Sequence, residues 1–107
     1  MNPVETRERL EQLAEEYRKR AEAVRRDLAS PRDPDFAEQA QERQNDDVLR
    51  GLLLEAEQGL REVNRALERL AEGSYTECAR CGEPIGEARL QALPMADKCV
   101  KCADLEG

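Results

Sequence analysis

Two apolar stripes of the same rhythm, parted by two prolines, restrict this chain more than anything else in its sequence. The first runs through Leu10, Ala14, Tyr17, Ala21, Val24 and Leu28, with Leu13 beside it. The second runs through Leu49, Leu53, Ala56, Leu60, Val63, Leu67 and Leu70. Both advance by alternating steps of four and three, the repeat of a helix laid along another helix. Between them lies ASPRDPDF, residues 29–36, with prolines at 31 and 34. Proline lacks an amide hydrogen and restricts the residue before it, so the first helix must stop there. The polar segment that follows holds no breaker and many helix formers. A second helix is therefore expected from about Phe36 to Ala71, roughly 54 Å long, with Gly73 as its C-cap. Two such helices joined by a short break pair antiparallel. Gly51 and Gly59 interrupt the second helix and mark either a close approach or a soft point.

Composition agrees with an elongated helical protein. Of 107 residues 38% are charged, with one Phe, two Tyr and no Trp, too few large apolar groups for a thick core. A helix that buries only a stripe needs fewer. The formal net charge is −7. A protein that binds duplex phosphates should be basic, so direct DNA binding is not expected; a basic surface on a protein partner is. No apolar run reaches the ~18–20 residues of a membrane span. The start, MNPVETRERLEQL, has neither an apolar core nor a cleavage site for secretion, so a cytoplasmic protein is expected. Histidine is absent.

All four cysteines lie in CARCGEPIGEARLQALPMADKCVKC, as two C-x-x-C pairs seventeen residues apart. A disulfide frame fits a secreted chain, which this is not expected to be. A redox C-x-x-C occurs once and in a βαβ setting that is absent here. Two pairs, each expected on a tight turn, supply a tetrahedron, so Cys78, Cys81, Cys99 and Cys102 are expected to hold one structural zinc. Four thiolates leave no position for water, which argues against an enzyme. Four thiolates on a zinc would take the net charge to about −9. The expected fold is all-α dominated. An antiparallel two-helix coiled-coil hairpin occupies residues 1–72, with its tip near 29–40, and a small zinc ribbon or finger with a short tail occupies 73–107.

The finger segment resembles the DksA/TraR family of bacterial transcription regulators. Gly73, Tyr75, Cys78, Cys81, Gly82, Ile85, Arg89, Leu90, Ala92, Pro94, Cys99 and Cys102 match the family pattern, and Thr76 departs from it where Gly is usual. The resemblance implies a coiled-coil rod on a zinc-finger globule that binds RNA polymerase rather than DNA. The rod enters the secondary channel, and an acidic tip nears the active site and destabilises open promoter complexes. The family's tip motif D-x-x-D-x-A corresponds here to DFAEQA, which assigns Asp35, Glu38 and Ala40 to the tip. Glu for the second Asp keeps the charge but moves the carboxylate outward by roughly 1.5 Å. Asp35 and Glu38 also suit the start of the second helix, where acids meet the positive end of its dipole.

The family's alarmone site would place Glu62, Leu93 and Ala103 where basic groups contact ppGpp, and none of the three can pair with phosphate. The resemblance thus implies a short relative, acting without ppGpp and lacking the longer N-terminal portion and extended C-terminal helix. Arg80, Arg89 and Lys101 are offered as contacts to the polymerase rim, and a monomer is expected. The alternative is a redox or stress sensor of the same fold whose zinc is released by thiol oxidation.

Overall fold

A computed structural model describes residues 2–30 and 36–106, with the side chains of 36–42 and 106 outside the description. The described residues form α1 (Pro3–Ala29), α2 (Phe36–Glu72), α3 (Glu87–Ala92) and α4 (Val100–Glu106), with one isolated antiparallel bridge between Glu77 and Pro84. The molecule measures 57 × 31 × 19 Å.

The ends of the long helices follow from their sequence. At the start of α1 the Asn2 carboxamide oxygen accepts from the amides of Val4 (2.9 Å) and Glu5 (3.4 Å). Pro3 takes the first helical position, where an amide hydrogen would have had no partner. At the other end the Ser30 hydroxyl donates to the Arg26 carbonyl (3.1 Å) just before Pro31. Helix α2 closes on Gly73 at φ +85°. The Ser74 amide donates to the Arg69 carbonyl (2.9 Å) and the Gly73 amide to the Leu70 carbonyl (3.3 Å). This double closure requires the left-handed backbone that glycine adopts without strain.

α1 and α2 pack antiparallel. Thr6 lies by Leu70, the Tyr17 ring sits against Gly59, and Val24 lies by Leu52. The Arg25 guanidinium reaches Glu57 at 3.5 Å across the same interface. The innermost residues are Leu10, Ala14 and Ala21 from α1, and Ala56, Val63 and Ala66 from α2. The leucine stripe expected on α2 is displaced. Leu49, Leu53, Leu60, Leu67 and Leu70 are half-buried flanks, and Ala66, absent from that stripe, is 1% exposed. A Cβ at Gly59 would lie 2.5 Å from Cε1 of Tyr17, so the ring occupies the notch left by the missing side chain. Gly59 therefore marks a close approach; Gly51 has nothing within 4 Å of such a Cβ and does not.

The seam does not end with the hairpin. Leu10, Ala14, Val63 and Ala66 belong to one buried cluster with Tyr75, Cys78, Ile85, Leu90 and Cys102. Rod and finger thus share a core at the base, opposite the break between α1 and α2. Among the described residues no helix is long and apolar enough to cross a membrane.

Candidate metal centre

The first cysteine pair sits on a tight turn inside a small β-like loop. The Gly82 amide donates to the Cys78 carbonyl (2.9 Å), with Gly82 at φ +79°. The loop is closed by Cys78 N–H to the Glu83 carbonyl (2.8 Å) and Ile85 N–H to the Thr76 carbonyl (2.9 Å). The second pair differs from the expected tight turn: Cys99 precedes α4 and Cys102 lies on its first turn, where the Ala103 amide donates to the Cys99 carbonyl (2.9 Å). The C-x-x-C spacing serves both shapes, because residues three apart share a face of a helix as well as of a turn. An Ala79 N–H to Asp97 carbonyl bond of 2.7 Å ties the two halves together.

These elements bring the four sulfurs together. All lie within 4.8 Å of one another, and Cys81 Sγ is 3.8 Å from Cys99 Sγ. A tetrahedron with metal–sulfur bonds of about 2.3 Å has edges of about 3.8 Å, so the donor set has the size and chemistry of a zinc site. All four thiols are free. The chain carries a C4 zinc finger for one structural zinc ion, whose bound form would fix the two halves on each other.

The thiols are not equivalent. Amide hydrogen bonding from Cys81, opposed by burial and joined by the amides of Cys99 and Arg80, pulls the Cys78 thiol down to about 6. Burial first, then the neighbouring thiols, pushes Cys102 up to about 12. The Glu83 amide works to lower Cys81, but desolvation and its neighbour Cys78 leave it raised. One sulfur is thus prepared as a thiolate while others hold their protons until a cation displaces them. Cys78 and Cys102 are buried, Cys99 is half-buried and Cys81 is exposed.

Two side chains brace this centre, one within the finger and one from the rod. Tyr75, 3% exposed, donates its hydroxyl to the Pro94 carbonyl at 2.8 Å. Burial raises its phenol above the ordinary range against the pull of Arg9 and Arg69. Arg69, on the last turn of α2, donates to the carbonyls of Glu77 (2.8 Å), Tyr75 (3.1 Å), Ala96 (3.3 Å) and Ser74 (3.4 Å). Sequence reasoning missed Arg69. Its position before Gly73 signalled a cation at a helix C-terminus, but nothing in the sequence signalled that it bonds four carbonyls beyond the turn.

The other sequence-derived sites fall apart from this centre. Arg80 and Lys101 are exposed on the first turn and on α4. Arg89 is half-buried, its Nε donating to the Lys98 carbonyl at 2.9 Å. Glu62, Leu93 and Ala103 come together, lining one groove of about 380 Å³ that also holds Arg65, Arg69, Arg89 and Lys98. Of the tip assignment, Asp35 lies outside the described residues, and Glu38 and Ala40 fall within α2 with their side chains outside the description.

Comparison with known proteins covers the whole of this architecture. Residues 73–106 match the prokaryotic dksA/traR C4-type zinc finger, and residues 6–70 match the N-terminal domain of the DnaK suppressor protein-like family. The fold is similar to transcription factor DksA2 from Pseudomonas aeruginosa, with a TM-score of 0.84 and 32% identity over 97% of this chain and 81% of that one. It is also similar to the solution structure of DnaK suppressor protein from Agrobacterium tumefaciens, with a TM-score of 0.68 and 35% identity over 98% and 94% of the two chains. The RNA polymerase-binding transcription factor DksA of Caulobacter vibrioides is 45% identical over 42 residues, which are 39% of this chain and 30% of that protein. The chain thus spans about a third of the length of the curated relatives it matches. Sulfur cluster, hairpin and both family matches converge: the chain belongs to the DksA/TraR family.

Proposed function

We propose that this protein is a cytoplasmic, monomeric transcription regulator that binds RNA polymerase through the secondary channel and acts there without catalysis. The observation that carries the reading is the shape: a slender antiparallel hairpin that runs away from a four-cysteine base. The Caulobacter relative that bears the matching segment is named for polymerase binding. In this reading Asp35, Glu38 and Ala40 form the working tip. Carboxylates brought beside a magnesium-containing centre compete for its field and disturb the elements around it. Arg80, Arg89 and Lys101 are the rim contacts, with Arg89 also holding the finger through Lys98. With a net charge of −7 the protein does not bind duplex DNA by itself.

The regulator works without ppGpp. Supporting this, the carboxylates of Glu62 and Asp97 share the groove with Arg65, Arg69, Arg89 and Lys98 and oppose a polyphosphate there. Arg69 and Arg89 already donate to carbonyls there.

The test has two arms. Competition for core polymerase against a known secondary-channel binder should show displacement. Promoter-complex lifetime should then shorten with the wild type and lengthen again with Asp35→Asn, while Glu38→Asp should sharpen the effect. Displacement with identical lifetimes for all three proteins would remove the tip assignment, and no displacement would remove the channel reading. The exposure of Cys81 supports the second reading, a thiol sensor that releases zinc on oxidation. Peroxide that leaves zinc content and polymerase capture unchanged excludes it.

A further inference from the structure

The rod and the finger meet through side chains of one shared cluster, without two helices running alongside each other. Among the described elements only α1 and α2 lie close along each other; α3 and α4 do not lie along the rod. Three things are left to set the direction of the rod: the left-handed exit turn at Gly73, the shared apolar cluster, and Arg69. The hydrophobic attraction within the cluster is non-directional, and the backbone bonds that close the glycine turn reach only Gly73 and Ser74, not the metal centre. Only the third is a directional side-chain link from the rod to both halves of the finger.

Arg69 is placed to set that direction. Its Nη2 donates to the carbonyls of Ser74, Tyr75 and Glu77, which form the exit turn and the first strand-like segment of the finger. Its Nη1 donates to the carbonyl of Ala96, which approaches the second cysteine pair. One planar, always-charged group therefore ties α2 to both halves of the metal centre at once. Charge-assisted bonds of this kind are about twice as strong as neutral ones, and a planar donor restricts rotation as well as distance. Lysine at this position has one ammonium and cannot span both sets.

We propose that Arg69 is a positioning residue that locks the rod and the zinc finger into one rigid body and so aims the rod. From Arg69 to the start of α2 the helix runs about 50 Å, so a swing of about 5° at the base moves the far end by about 4 Å. The consequence for a working tip rests on the polymerase reading; the lock itself does not.

The test reads the free, full-length protein. Cobalt(II) in the four-thiolate site is a paramagnetic centre whose pseudocontact shifts at the amides of α1 and α2 report the rod's direction relative to the metal. In the wild type, rod and finger amides should fit a single magnetic tensor. In Arg69→Ala the shifts beyond residue 60 toward the N-terminus of α2 should shrink by about twofold or more through averaging, while the cobalt–thiolate absorption stays in place. Arg69→Lys should fall between. Unchanged shifts in Arg69→Ala overturn the proposal. So does loss of the cobalt–thiolate absorption in that variant, because Arg69 would then build the finger rather than aim the rod. Polymerase affinity enters neither outcome, so failure here and failure of the polymerase reading remain distinguishable.

Discussion

The rod and the finger are held together by opposite means. The rod spreads its cohesion along a stripe of alanines with Leu10 and Val63 among them, flanked by half-buried leucines. The finger concentrates cohesion at four sulfurs and a handful of carbonyl bonds, with Ile85 and Leu90 as its large buried aliphatic side chains. A distributed seam tolerates a single change and fails by degrees, whereas a metal knot fails at once. The shared cluster from Leu10 to Cys102 is where one regime passes into the other.

Metal removal should break the comparison most completely. A zinc site of this kind contributes on the order of 10–16 kcal/mol of folding free energy. Chelation should erase the dispersed amide signals of residues 73–106 while most of the far-UV helical signal survives, because α1 and α2 hold most of the helical residues. Coincident loss of both signals would show that the rod has no stability of its own.

The next effect is on metal affinity with pH. Zinc needs all four sulfurs as thiolates, and Cys81 and Cys102, both raised, keep their protons at neutral pH. Binding should therefore release at least two protons, so affinity falls as pH falls, by at least about a hundredfold per pH unit near neutrality. The slope should steepen below about 6, where Cys78 takes up a proton as well. Competition with a chromophoric chelator across that range measures it.

Leu10→Ala should cost about 2–5 kcal/mol, since Leu10 is fully buried where rod and finger meet. Thermal melting should show both parts weakened together. Finer still are two glycines on the same helix. Gly59→Ala drives a methyl into the Tyr17 ring and should destabilise by about 1–3 kcal/mol, relieved when Tyr17 is shortened in a double-mutant cycle. Gly51→Ala meets nothing and should stabilise by about 1 kcal/mol through helix propensity alone. Shifts of the same sign would mean that the register around Tyr17 is misassigned.

The hairpin, its break and the ligand set were legible in the sequence because each rests on local chemistry: a period, two prolines, four thiols. What stayed hidden depends on partners far along the chain. Nothing near Ala66 says that it outranks Leu67 in burial, nor does anything near Gly59 say that the Tyr17 ring fills the space beside it. The second cysteine pair was expected on a turn and lies at the start of a helix, since its spacing fits either. Arg69 looks like any solvated cation until the carbonyls of Glu77 and Ala96 arrive beside it.

The alanines and the glycine along the interior of the hairpin have one last consequence. Helices that meet through such short groups can nest nearer the low end of the usual 8–10 Å separation of axes than helices that meet through leucines. The molecule is 19 Å across at its narrowest. A pair nested that closely is thin for its length, and what it forgoes in buried oil it recovers in the core it shares with the finger.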